Sequence, residues 1–184
     1  SQRGIIDADG IVHTSRLQTG FPIEGEYQVF ESDVIARTMF YYVGNILGEP
    51  SAVLFRRQDL TNHYWNADSR GYKVLSDVAM WLELLEKGKC VLYKEPLSYY
   101  RRHAGQEGQQ IDVVLLSRLE WVRLAQDYLK KNCFITEQDY VRVIQVLLKD
   151  YESLLKKKDI ASAGMWARYS ACIERTRLFY EKMS

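Results

Sequence analysis

The sequence is poor in cysteine and has no long apolar run. Its three cysteines, Cys90, Cys133 and Cys172, lie about forty residues apart, which excludes a CxxC pair and a zinc-type cluster of cysteines and histidines. We expect buried free thiols in a reducing compartment. No apolar run reaches the ~18–20 residues that span a bilayer, and no signal peptide opens the chain.

Neither sign of charge is in excess. The 25 Lys and Arg residues face 24 Asp and Glu residues, which gives a formal net charge of +1. This balance argues against a bulk electrostatic affinity for nucleic acid or for an anionic membrane and leaves only a local patch as an alternative, so we predict no nucleic-acid partner. Hydrophobic residues make up 47% and charged residues 27% of the 184 positions, the balance of a folded domain.

Proline and glycine are scarce in the second half. All three prolines precede residue 104, and Gly164 is the only glycine after Gly108. Because proline and glycine mark turns, the sequence predicts a mixed α/β region over 1–107 and an all-α helical extension over 108–184.

Short apolar segments separated by turn residues indicate strands in the first region. We predict a loop over 14–30 and a helix over 32–42. The predicted strands are two within Gly4–Val12 around the turn at Asp7–Gly10, then Ala52–Phe55, Cys90–Tyr93 and Leu97–Tyr100.

The strongest helical pattern of the first region covers residues 77–87. Its apolar residues recur at helical spacing and predict one buried face. They are Val78, Trp81, Leu82 and Leu85. Ser76 is predicted to cap the start of this helix, and Gly88 marks its end.

Three helices are predicted in the extension, over 111–131, 136–156 and 160–181, forming an antiparallel bundle or a hairpin packed on the α/β region. Thr136 begins a sequence close to a capping box, and Asp159 is a candidate cap for the last helix. The apolar stripes of these helices predict a core rather than a ligand site. Their members include Leu115, Leu119, Val122, Leu129, Tyr140, Ile144, either Leu147 or Leu148, Tyr151, Leu155, Trp166, Tyr169, Ile173 and Tyr180.

Three segments in order resemble one enzyme family. They are NILGEPSAVLFRR at 45–57, LSDVAMWLELL at 75–85 and EPLSYYRRHAGQ at 95–106. Together they resemble the C-terminal half of the catalytic domain of family 2 glycosyltransferases, over roughly residues 40–107. The resemblance implies a partial GT-A-like fold and transfer of a sugar, with inversion, from a nucleotide-sugar donor to an acceptor hydroxyl.

The resemblance also implies a catalytic role for Asp77. A carboxylate beside the acceptor hydroxyl takes its proton during attack on the anomeric carbon. The helix N-terminus favours the ionised form of such a carboxylate. The family usually has Glu-Asp at this point, whereas this chain has Ser76-Asp77. Alternatively, Asp77 only stabilises the helix end.

Other candidate substrate-binding residues follow from the same resemblance. Arg101 and His103 are implied contacts of the donor diphosphate, with His103 also a candidate metal ligand, and Gln106 is a weaker candidate. Glu49 either faces the acceptor or fixes a turn. Trp81 is assigned to the core, and neither His13 nor His63 has a partner at a useful spacing.

The segment Asp7-Ala8-Asp9 has the form of the DxD motif that holds the divalent metal in this fold. We interpret it as a hairpin turn because Gly10 follows directly. The expectation is therefore that the nucleotide-binding half and its metal ligands lie outside this chain, which would be inactive alone.

The resemblance implies Mg or Mn, a nucleotide-sugar donor and a carbohydrate or lipid-linked acceptor for the full-length enzyme. It implies a cytoplasmic location, with peripheral association at the inner face of the membrane as an alternative. A rival hypothesis is a non-catalytic interaction or dimerisation module built on a glycosyltransferase-like remnant, which would allow a homodimer.

Overall fold

The computed structural model describes residues 2–17, 21–60, 71–103 and 110–183. The chain divides into two compact units. The α/β unit comprises Ser1–Ala36 and Asn45–Gln106, and the helical unit comprises Arg37–Gly44 and Glu107–Ser184. The coarse prediction of an α/β part and a helical part is therefore confirmed. The grouping of Arg37–Gly44 with the later helices was not predicted.

Five strands and five long helices are described. The strands are β1 (Gln2–Ile6), β2 (Val12–Leu17), β3 (Tyr27–Phe30), β4 (Cys90–Tyr93) and β5 (Pro96–Arg101). The helices are α1 (Ser32–Tyr42), α2 (Ser76–Leu85), α3 (Ile111–Lys130), α4 (Glu137–Leu155) and α5 (Ala163–Met183). None of these helices is long and apolar enough to cross a membrane.

The strands form two small sheets. β1 lies between β2, to which it is antiparallel, and β5, to which it is parallel. β3 and β4 form an antiparallel pair, with Val29 opposite Val91. The predicted hairpin after Gly4 is confirmed. The predicted loop over 14–30 is wrong in part, because β2 continues to Leu17 and β3 pairs with a strand about sixty residues later.

The predicted strand at Ala52–Phe55 is wrong. Pro50–Ala52 forms a 3-10 turn in which the Ala52 amide donates to the Glu49 carbonyl at 2.8 Å. Val53 has extended dihedral angles, but no described strand pairs with it. The Leu54 side chain is 100% exposed. An apolar run of strand length becomes a strand only where a neighbour supplies backbone hydrogen bonds.

Helix α2 is the core element of the α/β unit. All four residues of its predicted apolar face are buried, and so are Ala79 and Met80 on other faces. The predicted capping role of Ser76 is wrong, because Ser76 is already the first helical residue. Leu75 precedes the helix and provides no side-chain cap.

The predicted capping of the later helices is half right. Thr136 and Asp139 form a capping box at the start of α4, with the Thr136 amide donating to Asp139 Oδ2 at 2.9 Å. Asp159, in contrast, lies in a 3-10 turn before α5. Ser162 takes its place, since its Oγ accepts from the Met165 amide at 3.4 Å.

Aromatic side chains fill the core of the helical unit. Phe40 is fully buried, with its ring centroid 6.0 Å from that of Trp121 and 5.7 Å from that of Tyr128. Tyr169 and Ile173 are fully buried, as their stripe predicts. The prediction fails for Leu155, which is 45% exposed because Leu154 takes the inward position.

The three cysteines are free and half-buried, so the expectation of free thiols is confirmed. Burial raises the pKa of the Cys90 thiol to about 11. This thiol is therefore largely protonated, and weakly nucleophilic, near neutral pH.

Candidate functional site

Asp77 lies in the first turn of α2 and is half-buried. Its Oδ1 accepts a hydrogen bond from the Val78 amide at 2.7 Å. Its Oδ2 accepts one from Asn45 Nδ2 at 2.8 Å. Both carboxylate oxygens accept hydrogen bonds, so the carboxyl group has a fixed orientation at the N-terminal end of α2.

Asn45 is a site residue that the sequence did not predict. Its Oδ1 accepts from the amides of Leu47 at 3.1 Å and Gly48 at 2.8 Å. The amide group must therefore point Nδ2 towards Asp77 and towards the Gly48 carbonyl at 3.0 Å. The available signal was the Asn45-x-x-Gly48 spacing, typical of a turn closed by an asparagine side chain.

Gly48 connects this turn to α2. Its φ is +104°, and a Cβ there would lie 2.9 Å from Arg3 Nε, so only glycine fits without displacement. Its carbonyl accepts a hydrogen bond from Trp81 Nε1 at 2.9 Å. Trp81 is 1% exposed, which confirms its assignment to the core and shows that its polar atom anchors the turn.

Glu49 forms an ion pair with Arg3 of β1. The Arg3 side chain is 11% exposed and the Glu49 side chain 40%. Glu49 directly precedes the 3-10 turn at Pro50, without a side-chain capping bond there. Arg3 Nη1 contacts both carboxylate oxygens of Glu49, so this partly accessible group is already engaged in the ion pair.

The pKa of Asp77 lies above its ordinary value. Burial is the largest cause, and the negative charge of Glu49 acts in the same direction. The hydrogen bonds from the Val78 amide and from Asn45 act in the opposite direction. The sequence suggested that the helix N-terminus sets the acidity of Asp77. Burial instead has the larger effect on its pKa. The carboxylate binds a proton more tightly than a solvated aspartate does, which makes it a stronger base.

Arg101 is the last residue of β5, and its side chain reaches the β1–β2 turn. Its guanidinium donates to the carbonyls of Asp7 at 2.9 Å and Ala8 at 3.0 Å. His103 follows β5 and is exposed, and Gln106 lies outside the described residues. Of the predicted site residues, the structure thus brings Asp77 and Glu49 near one another and uses Arg101 to brace a hairpin.

The interpretation of Asp7-Ala8-Asp9 as a hairpin turn is confirmed. Asp7 Oδ1 accepts from the amides of Asp9 at 3.0 Å and Ile11 at 2.9 Å, and Gly10 has a φ of +87°. The bond from Ile11 is the main cause that lowers the pKa of Asp7. His13 does have a partner, because its Nε2 lies 3.2 Å from Asp7 Oδ2.

An open cleft of about 740 Å³ lies in the α/β unit; Trp81 lines it, but Asp77 does not. Its walls come from the segment after Pro50, the end of α2 and strand β4. Apolar lining residues include Leu54, Phe55, Trp81, Val91 and Leu97. Across the described residues, no group of three or more acidic, histidine or cysteine side chains is arranged to hold a metal ion.

Comparison of the chain with protein-family models, with curated proteins and with solved structures finds no match.

Proposed function

We propose that this chain is the acceptor-side part of an inverting glycosyltransferase related to family 2, with Asp77 as its general base. The environment of Asp77 supports the proposal. The carboxyl group is half-buried, has a raised pKa and is oriented by Asn45 and by the Val78 amide. Groups that serve as general bases have pKa values moved towards neutrality by this kind of burial.

In the proposed reaction, an acceptor hydroxyl attacks the anomeric carbon of the donor sugar. The new carbon–oxygen bond forms as the bond to the nucleotide diphosphate breaks, and the diphosphate leaves with that electron pair. Asp77 takes the hydroxyl proton, while the hydrogen bonds at both oxygens keep it aimed at one position. Glu49, whose side chain is 40% exposed, is the proposed contact for the acceptor.

Donor binding is assigned to a separate part of the enzyme. Polypeptide outside these residues would bind the nucleotide and the divalent Mg or Mn that neutralises the leaving diphosphate. His103 is exposed and is the better diphosphate contact, since Arg101 is engaged at the β1–β2 turn. A cytoplasmic location, where nucleotide sugars are made, fits the proposed donor.

The chain offers a matched control for testing Asp77. The sequence Ser-Asp-Val begins both α1 at Ser32 and α2 at Ser76, but Asp33 is exposed whereas Asp77 is half-buried. In enzyme that contains the donor-binding polypeptide, Asp77→Asn should lower the rate of sugar transfer by about 10²–10⁴-fold. Asp33→Asn should leave the rate within about twofold, because it changes the same local sequence at a solvated position.

Two outcomes would count against this proposal. Equal transfer rates for Asp77→Asn and Asp33→Asn would remove the base role. Transfer by the 184-residue chain alone, lost on Asp77→Ala, would show that the donor site lies within it. Rates are measured as release of nucleoside diphosphate across a panel of nucleotide sugars.

The open cleft favours a second candidate, a non-catalytic interaction or dimerisation module. Leu54 is 100% exposed, Leu97 70% and Val91 56% on or beside its walls. Apolar exposure of this kind promotes association. Sedimentation velocity should then show an oligomer that Leu54→Asp dissociates and Asp77→Asn does not. A monomer at all concentrations would remove the dimerisation form of this candidate.

A further inference from the structure

The connection between α4 and α5 combines positive charge with exposed aliphatic side chains. We name residues 155–160 the basic link. It contains Leu155, Lys156, Lys157, Lys158, Asp159 and Ile160. All six residues are exposed, with Leu155 at 45% and Ile160 at 71%. The link is short and ordered by a 3-10 turn at Lys158–Ile160.

Local helix stability explains only part of this composition. Lysines at the end of α4 offset the negative end of the helix dipole, which accounts for Lys156 and Lys157. The helix dipole does not account for Ile160, a large aliphatic residue that is 71% exposed near these lysines in the sequence. Three lysines against one aspartate also leave excess positive charge on a chain that is nearly neutral overall.

We propose that the basic link docks onto an anionic phospholipid surface. Lysines attract acidic headgroups, and adjacent aliphatic side chains enter the boundary between headgroups and acyl chains. A nucleic acid is a poorer match, because Leu155 and Ile160 offer neither aromatic stacking nor contacts with base edges. The inference rests on the helical unit alone and does not depend on the proposed sugar transfer.

Vesicle cosedimentation tests the proposal with the whole chain. Vesicles of phosphatidylcholine with about 30% phosphatidylserine should bind the protein at low salt, and binding should weaken at high salt. Pure phosphatidylcholine vesicles should bind far less. Each lysine should strengthen binding to the phosphatidylserine vesicles about fivefold. Replacing Lys156, Lys157 and Lys158 by Gln should therefore weaken this binding about 100-fold. Ile160→Ser should weaken it about tenfold.

A second triple variant provides the control. Lys94, Lys130 and Lys149 are exposed and lie outside the basic link, so replacing them by Gln removes the same charge. This variant should bind within about twofold of the unchanged protein. Circular dichroism checks that both triple variants keep their helices. Asp159→Asn should strengthen binding about fivefold.

Three results would overturn the proposal. One is failure of the unchanged protein to bind the phosphatidylserine vesicles. Another is equal loss of binding in the two triple variants, which would indicate only bulk charge. The third is equally tight, Ile160-independent binding to heparin or to a duplex RNA, which would identify a general polyanion site instead.

Discussion

Two neighbours act on Asp77 in opposite directions. Asn45 donates a hydrogen bond to Oδ2 and favours the carboxylate, whereas the negative charge of Glu49 favours the protonated acid. Arg3 holds Glu49 in place, and Gly48 leaves the space that the Arg3 side chain fills. The acidity of Asp77 is therefore adjustable in both directions by substitutions that leave its own side chain unchanged.

We predict that Asn45→Ala raises the pKa of Asp77 and that Glu49→Gln lowers it. The first change removes a donor to the carboxylate, and the second removes a like charge and frees Arg3. The measurement is a pH titration of the Asp77 carboxyl carbon by ¹³C NMR. Asn45→Ala should also lower the free energy of unfolding by about 1–3 kcal/mol, because two amides lose their acceptor.

The carboxyl carbon of Asp33, recorded in the same spectra, serves as the internal control. Its ¹³C chemical shift at neutral pH should be the same in both variants and in the unchanged protein, since Asp33 is exposed in a different helix. A shift of Asp77 in the same direction in both variants would contradict the assigned roles of Asn45 and Glu49.

At the scale of an element, the start of α4 is held by both a capping box and an ion pair. Asp139 accepts from the Thr136 amide at 2.9 Å and from Arg37 at 3.1 Å. Burial raises the pKa of Asp139, but the bonds from Thr136 and Arg37 outweigh it, and the pKa lies below its ordinary value. A lowered pKa means that the folded protein prefers the ionised form.

The stability from Asp139 should therefore depend on pH. It is fully present above the ordinary pKa of 3.8 and is lost as the pH falls through the lower pKa of the folded state. Asp139→Asn should cost about 1 kcal/mol at pH 7 and progressively less on acidification. Urea denaturation followed by circular dichroism between pH 7 and 3 measures the difference.

Asp7 and Asp112 also have lowered pKa values, through hydrogen bonds from Ile11 and Ser162. Asp7 and Asp112 are present in both the unchanged protein and the Asp139→Asn variant. The difference between the unfolding free energies of these two proteins therefore isolates the contribution of Asp139. A difference that stays constant down to pH 3 would show that its charge makes no contribution.

At the scale of the whole molecule, Arg37–Gly44 belongs to the helical unit although it precedes the rest of that unit by more than sixty residues. Phe40 explains the grouping, because its buried ring packs against Trp121 and Tyr128. A chain that began at Glu107 would leave both aromatic rings without this partner. The helical unit is therefore not a simple C-terminal extension.

Phe40→Ala should lower the free energy of unfolding of the helical unit by about 3–5 kcal/mol, through loss of burial and the cavity that remains. Tyr42→Ala, two residues later and 64% exposed, should change it by less than about 0.5 kcal/mol. Urea denaturation followed by tryptophan fluorescence and circular dichroism measures both. Similar losses for the two variants would contradict the assignment of Phe40 to this core.

The helices were predictable because their signals are local. Residues 32–42, the buried face of α2 and the Thr136 capping box all depend on spacings within a few turns. The failed strand predictions were non-local. Ala52–Phe55 has the composition of a strand but no described partner, and β3 lacks a clear period but pairs with β4. Strand pairing is decided by neighbours distant in sequence.

The two Ser-Asp-Val sequences show the same limit at the candidate site. The sequence by itself determines that each begins a helix with an acidic residue in its first turn. Only the tertiary structure decides that Asp33 remains in water while Asp77 is half-buried against Asn45, 32 residues away. The physical reason is that burial, a neighbouring charge and an oriented amide set the acidity of a carboxyl group, and folding brings all three to Asp77.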